Sequence, residues 1–232
     1  MWENASRCCR ANGEADPETG TSGAQVTPSA EGYGGGMLDV VVFPSVLGMR
    51  PGVHAAADRL AAAGFRPHVV DVYDGGLTFD DYDEAMAHMQ SLGYDTVLTR
   101  ARQAINELDP DRMVLLGFSA GVVPAQIIAA TDPRAVGCVA LSSVLSVRAL
   151  ELDEGWPADV PLQFHTMDAD PWLEPDQVEA ITAELGEQIE TFSYAGTGHL
   201  FTDPSLPAEY DEAATELLWP RVVEFLRGID EG

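Results

Sequence analysis

Lysine is missing from this 232-residue chain: all 12 basic residues are arginine, and they stand against 38 acidic ones, a formal net charge of −26. So negative a surface repels phosphate backbones and anionic bilayers, which excludes nucleic acid and membrane surfaces as expected partners. Cysteine is nearly as scarce. Cys8 and Cys9 adjoin each other in a polar tail and Cys138 lies in a β-branched run. No disulfide framework is available, and the thiols are expected to stay reduced. No apolar run approaches the roughly 18 residues of a membrane span, and the first residues lack the apolar core of a signal peptide. The expectation is a soluble, cytoplasmic protein, monomer or homodimer, with no membrane association.

What is present suits one ordinary core. Hydrophobic residues make up 46% of the chain, and a chain of this length buries a sizeable core without a second domain. Residues 1–36 are rich in Gly, Ala, Ser, Thr and Glu without apolar periodicity, which predicts a disordered tail. Because Met37 directly precedes the first convincing strand, translation starting there is an alternative reading of the tail. The tail carries Glu3, Glu14, Asp16, Glu18 and Glu31 against Arg7 and Arg10, a net of −3, so −23 belongs to the predicted domain, 37–232.

Within that domain, short β-branched runs alternate with helical stretches, the pattern of a mostly parallel sheet with helices on both faces. Strands are predicted at 38–43, 67–73, 112–116, 135–141, 162–167 and 188–194. Helices are predicted at 51–63, 81–91, 96–108, from the end of the third strand to 130, 174–185 and 208–227.

At the end of the third strand stands Gly117-Phe118-Ser119-Ala120-Gly121. A serine hydroxyl is a poor nucleophile at neutral pH and needs both exposure on a sharp turn and an adjacent base. A G-x-S-x-G turn between strand and helix supplies the first, its glycines removing side chains where strand and helix converge. The helix that follows aims its free N–H groups and positive dipole end at the place where an oxyanion would form. Ala120 N–H is the predicted oxyanion donor. A second is expected from the loop after the first strand, at Val46 N–H, with Leu47 as the neighbouring candidate.

In the α/β-hydrolase order, the acid and then the histidine follow the serine. Only His165 and His199 follow Ser119. His165 falls inside a strand and reads as a packed histidine, whereas His199 ends the loop Ala195-Gly196-Thr197-Gly198 beyond the last strand, free to swing over the sheet edge. Asp168 and Asp170 both follow the strand ending at Met167. Asp170 is favoured because Pro171 holds it extended. An Asp168/Asp170 metal pair has few ligands beside it, so neither metal nor cofactor is expected. The predicted roles are nucleophile for Ser119, base for His199 and orienting acid for Asp170.

With these residues in view, the chain resembles the dienelactone hydrolase family of the α/β-hydrolase superfamily, from about residue 37 to 227. Pro51-Gly52-Val53, Val70-Asp71-Val72-Tyr73-Asp74-Gly75, Asp170-Pro171-Trp172 and Gly196-Thr197-Gly198-His199-Leu200-Phe201 carry the likeness in order. The best-known members place cysteine at the elbow, where this chain has Ser119. The family's glutamate near the oxyanion loop corresponds to Ser45, and its two arginines for a substrate carboxylate to Gly75 and Asp203. The resemblance, so modified, implies a neutral ester, lactone or thioester as substrate. The 142–161 interval is too short for a large cap, which implies an open cleft for small acyl groups. Ser45, Tyr73, Trp172 and Phe201 are candidate substrate contacts, or, for the aromatics, ordinary packing. An acyltransferase using the same triad, and a catalytically silent binding module on the same fold, are the rival readings.

The charge admits two readings, an ordinary soluble particle that repels its own copies, with the missing lysine a matter of codon bias, and adaptation to high salt. On the second, screening relieves self-repulsion, so the thermal unfolding midpoint is expected to rise as NaCl is raised toward about 1 M. A midpoint that falls with salt would contradict this.

Overall fold

The apolar runs of the sequence become strands buried along their length. The computed structural model describes residues 25–28 and 37–231. Its strands are β1 (Gln25–Pro28), β2 (Asp39–Phe43), β3 (Arg66–Asp71), β4 (Met113–Phe118), β5 (Ala135–Leu141), β6 (Leu162–Met167) and β7 (Ile189–Tyr194). They form one sheet in the order β1-β3-β2-β4-β5-β6-β7. β2 through β7 are parallel to one another, and β1 alone is antiparallel. Every residue of β2, β4 and β6 is buried, as parallel strands covered on both faces require. Among strands whose side chains are described, the edge strand β7 is largely open.

The helices are α1 (Pro51–Ala62), α2 (Tyr82–Leu92), α3 (Tyr94–Leu108), α4 (Val122–Thr131), α5 (Pro175–Leu185) and α6 (Glu212–Asp230). Pro51 and Pro175 open α1 and α5, where a missing N–H costs nothing. Asp81 and Asp211 cap α2 and α6 by accepting from the N–H of Glu84 and Ala214, at 2.9 and 2.8 Å. The strand order fixes the layers. The β2–α1–β3 crossover travels toward one edge of the sheet and β4–α4–β5 toward the other, so right-handed connections put α1 and α4 on opposite faces. Arg59 of α1 reaches Glu216 of α6 at 2.6 Å, tying those two helices together. The order reverses between β2 and β4, which opens a crevice at the carboxyl ends of these strands.

The predicted elements map closely onto the observed ones, with shifts of a few residues at their ends. The tail requires a correction. Residues 1–36 were expected to be structureless, yet Gln25–Pro28 pairs antiparallel with β3, from Gln25↔Asp71 to Pro28↔His68. The outer edge of β3 offers unpaired backbone groups, and Val26-Thr27 is a strand-forming pair within a composition that otherwise argues against structure. The rest of the tail, Cys8, Cys9 and the question of a start at Met37 lie outside the described residues.

Between β5 and β6 the chain makes only turns, so no cap domain is inserted between these two strands. Cys138 of β5 is a free, wholly buried thiol whose pKa burial pushes well above its usual value. Among the described residues no helix is long and apolar enough to cross a membrane.

Candidate active site

β4 ends at Phe118, and the next residue, Ser119, has φ +50°. That left-handed conformation costs a side-chain-bearing residue about 1–2 kcal/mol, so the surroundings must impose it. They do so by crowding. A Cβ on Gly117 would collide with the Gly121 carbonyl and the Val122 backbone, and one on Gly121 with the carbonyls of Phe43 and Pro44 at the end of β2. A single 3-10 turn, Ser119–Gly121, then leads into α4.

His199 reaches this turn from the loop beyond β7. Its Nε2 lies 2.7 Å from Ser119 Oγ and its Nδ1 2.7 Å from Asp170 Oδ2. The Asp170 side chain is fully enclosed. Its second oxygen accepts the Trp172 N–H at 2.8 Å, so each carboxylate oxygen has a donor, which a buried charge needs. Three side chains from the ends of β4, β6 and β7 thus form one continuous hydrogen-bonded line. Asp168 lies outside that line: it is exposed and accepts the Gly196 N–H at 3.0 Å, bracing the loop that carries His199.

His165 is fully buried, its Nδ1 2.9 Å from the Tyr194 hydroxyl and its Nε2 3.0 Å from Gln163 Oε1. Burial first, and then Arg221, hold its pKa down to about 3, so it is neutral at ordinary pH. With Gln163 Oε1 accepting, Nε2 carries the proton and Nδ1 accepts from Tyr194.

The loop after β2 lies against the elbow, with Val46 and Ala120 both buried. Leu47 N–H donates to Ser45 Oγ at 3.2 Å, so Leu47 is already occupied. The Tyr73 hydroxyl donates to the Val46 carbonyl at 3.0 Å. Ser45 and Tyr73, named from sequence as candidate substrate contacts, therefore brace this loop from within, and both are buried. Phe201 is also withdrawn: it is 0% exposed and packs on Tyr194 at 5.6 Å. Core demand outweighs proximity to His199 at this position. Of the four candidates Trp172 alone keeps a partly open face, its ring 6.0 Å from that of His199.

Sequence reasoning missed three residues. Tyr82 of α2 packs at a tilt on Trp172, ring centres 5.3 Å apart, and donates to the Glu209 carboxylate at 3.0 and 3.1 Å. Burial, then Glu209 and Asp170, push the Tyr82 hydroxyl pKa well up, which keeps it a donor. Glu209 in turn accepts the Leu200 N–H at 2.7 Å, and its backbone lies where any side chain on Gly198 would stand. Arg50, buried, donates to Phe79 O at 2.7 Å and Asp80 at 2.8 Å, with Nε 3.3 Å from Asp203. These contacts join segments far apart in the chain, and no local pattern announces them.

A parallel sheet whose order reverses beside a serine-bearing strand-to-helix turn defines the α/β-hydrolase fold. The chain belongs to the dienelactone hydrolase family, whose model matches residues 27–229. It is accordingly a hydrolase of ester-type bonds. A protein of a Bradyrhizobium species, named as a probable 2-oxo-3-(5-oxofuran-2-ylidene)propanoate lactonase, is 24% identical over 206 residues, 81% of this chain and 82% of that one. Among solved structures, a dienelactone hydrolase-like promiscuous phosphotriesterase from metagenomic libraries superposes with TM-score 0.73 at 19% identity, covering 89% of this chain and 98% of that one. Alpha/beta hydrolase domain-containing protein 10 from mouse does so with TM-score 0.65 at 10% identity, covering 91% and 98%.

Two outcomes are expected. Glu209→Ala frees the Leu200 N–H and the Tyr82 hydroxyl together and should lower kcat about tenfold or more, while Tyr82→Phe keeps the ring and should cost less; the loss of one charge-assisted bond, about 1.5–3 kcal/mol, sets the scale. Steady-state kinetics on one ester checks the ranking. The second concerns acid. His165 folds with a pKa near 3 against an ordinary value of 6.5, so its stabilisation is complete above 6.5 and is lost as pH falls toward 3. Urea unfolding between pH 7 and pH 4 should show that decline, and a flatter one in His165→Gln.

Proposed function

We propose that this protein hydrolyses a small, uncharged carboxylic ester, lactone or thioester through an acyl-enzyme on Ser119. The observation that carries the reading is the unbroken line from Asp170 through His199 to Ser119, two hydrogen bonds of 2.7 Å each.

The chemistry runs along that line. With Nδ1–H held toward Asp170, neutral His199 presents the lone pair of Nε2 to the hydroxyl. As Oγ attacks the substrate carbonyl carbon, Nε2 takes the proton, and Asp170 stabilises the imidazolium. The carbonyl oxygen becomes an oxyanion at the start of α4, where Ala120 N–H and Val46 N–H are the assigned donors. Collapse breaks the acyl–oxygen or acyl–sulfur bond, and the Nε2 proton goes to the leaving group. Water enters and gives its proton to Nε2 as its oxygen bonds the acyl carbon; the acyl–Oγ bond then breaks, Oγ takes the proton back from Nε2, and the acid leaves.

What supports an uncharged substrate is the state of the nearby cation: Arg50 is buried and already committed to Asp80 and Asp203, and the family resemblance puts Gly75 and Asp203 at the positions of its two carboxylate-binding arginines. Only turns lie between β5 and β6, which supports small substrates that need no large inserted cap to hold them.

Ser119→Ala should abolish the acylation burst and its adduct with a fluorophosphonate while unfolding normally; unchanged turnover would overturn the assignment. Asp170→Asn should depress kcat far more than Asp168→Asn, because only the former touches the imidazole. Competing alcohols added to the assay separate water from other acyl acceptors.

A further inference from the structure

A second cavity lies at the same edge of the sheet as Ser119. α3 runs into β4 and so begins at the carboxyl edge; α4 begins there too, and the 142–151 segment leaves β5 from that edge. Between these three lies a cavity of about 60 Å³ walled by Val97, Leu98, Val123, Ile127, Leu145 and Leu150. Val123 is four residues beyond Ser119, roughly 6–8 Å along the helix axis.

The wall is built rather than incidental. Gln126 of α4, wholly buried, holds Leu145 through both backbone groups, Nε2 to Leu145 O at 3.0 Å and Leu145 N–H to Oε1 at 2.9 Å. A primary amide so used fixes the 145 segment against α4 and leaves no polar group of its own unpaired toward the cavity. Val123, Leu145 and Leu150 are buried, while Asp95 and Glu151 at the rim are exposed acids. No arginine lines the cavity. An apolar space of this size takes about four methylene-sized groups, and the acidic rim disfavours a carboxylate.

We infer that this cavity is the acyl-chain subsite for Ser119, selecting uncharged, straight acyl chains of medium length over acetyl. The inference rests on the acyl-enzyme reading above and adds to it a substrate class. A chain esterified to Ser119 spans the distance to Val123 with its first few carbons, and those beyond enter the cavity. Each buried methylene raises kcat/KM about fourfold, the transfer of one CH₂ from water.

The test compares p-nitrophenyl esters from acetate to octanoate on the wild-type protein and on Ile127→Trp and Leu98→Trp, which fill the cavity from α4 and from α3. The wild type should gain over tenfold in kcat/KM from acetate to octanoate, and both variants should lose that gain while keeping acetate hydrolysis. A chain-length profile identical in wild type and variants overturns the inference. Binding of octanamide, followed by calorimetry, reads the cavity without turnover: it should be lost in both variants, and equal binding to all three proteins also overturns the inference. If octanamide binding is lost in the variants but no ester acylates Ser119 in the wild type, the hydrolytic role of Ser119 fails, and the acyl-chain role fails with it.

Discussion

The close approach of β4, α4 and the end of β2 at Ser119 is the constraint on which the site depends. Two glycines let the backbones come within contact, and the residue between them is driven into a left-handed conformation it would not choose. Strain of this kind persists only where the surroundings over-determine it. Here the buried strands on both sides do so, and the side chain of Ser119 stands off the sheet where an imidazole can meet it. Had either glycine carried a Cβ, the strand and helix would have to separate and the hydroxyl would move away from His199.

The remaining groups are held by loops, and each loop is tied down by hydrogen bonds or ion pairs, most of them involving a charged side chain. Asp168 holds Gly196 on one side of His199 and Glu209 holds Leu200 on the other. Asp170 accepts from Trp172 as well as from the ring. Tyr73 fixes the carbonyl of Val46, and Arg50 binds the loop after β2 to Asp80 and to Asp203. Carboxylates that look redundant in so acidic a chain therefore act as acceptors for N–H groups that the loops leave unpaired. Acidity at the surface and acidity at the site are separate matters: the first sets how molecules repel one another, the second sets the shape of the crevice.

Much of this was legible in the sequence, for reasons particular to each part. The strands were visible because parallel sheets bury both faces, which leaves runs such as Val40-Val41-Val42 with no polar interruption. Ser119 was visible because its turn needs glycine at fixed offsets, and His199 because a glycine-bearing loop followed the last strand. The choice of Asp170 over Asp168 turned on Pro171, a backbone effect expressed in one residue. The roles of Tyr82, Glu209 and Arg50 were not legible. Each depends on a partner more than a hundred residues away or in a different layer, and a tyrosine at a helix start or a glutamate in a loop has many uses. Phe201 and Tyr73 were left open between substrate contact and packing for a related reason: an aromatic at a strand end points either into the crevice or beneath it, and it is their contacts with Tyr194 and Val46 that the sequence does not show. In Gln25–Pro28 a short strand was hidden by the composition around it.

The sealing of Cys138 inside β5 has a chemical consequence. Activated acyl compounds ordinarily wander onto thiolates and lysine amines, the two side chains most ready to capture them. In the described residues the single thiol is enclosed and held protonated, and the chain has no lysine at all. Among the described residues an acyl group therefore meets no lysine and no exposed thiol to intercept it on its way to the end of β4.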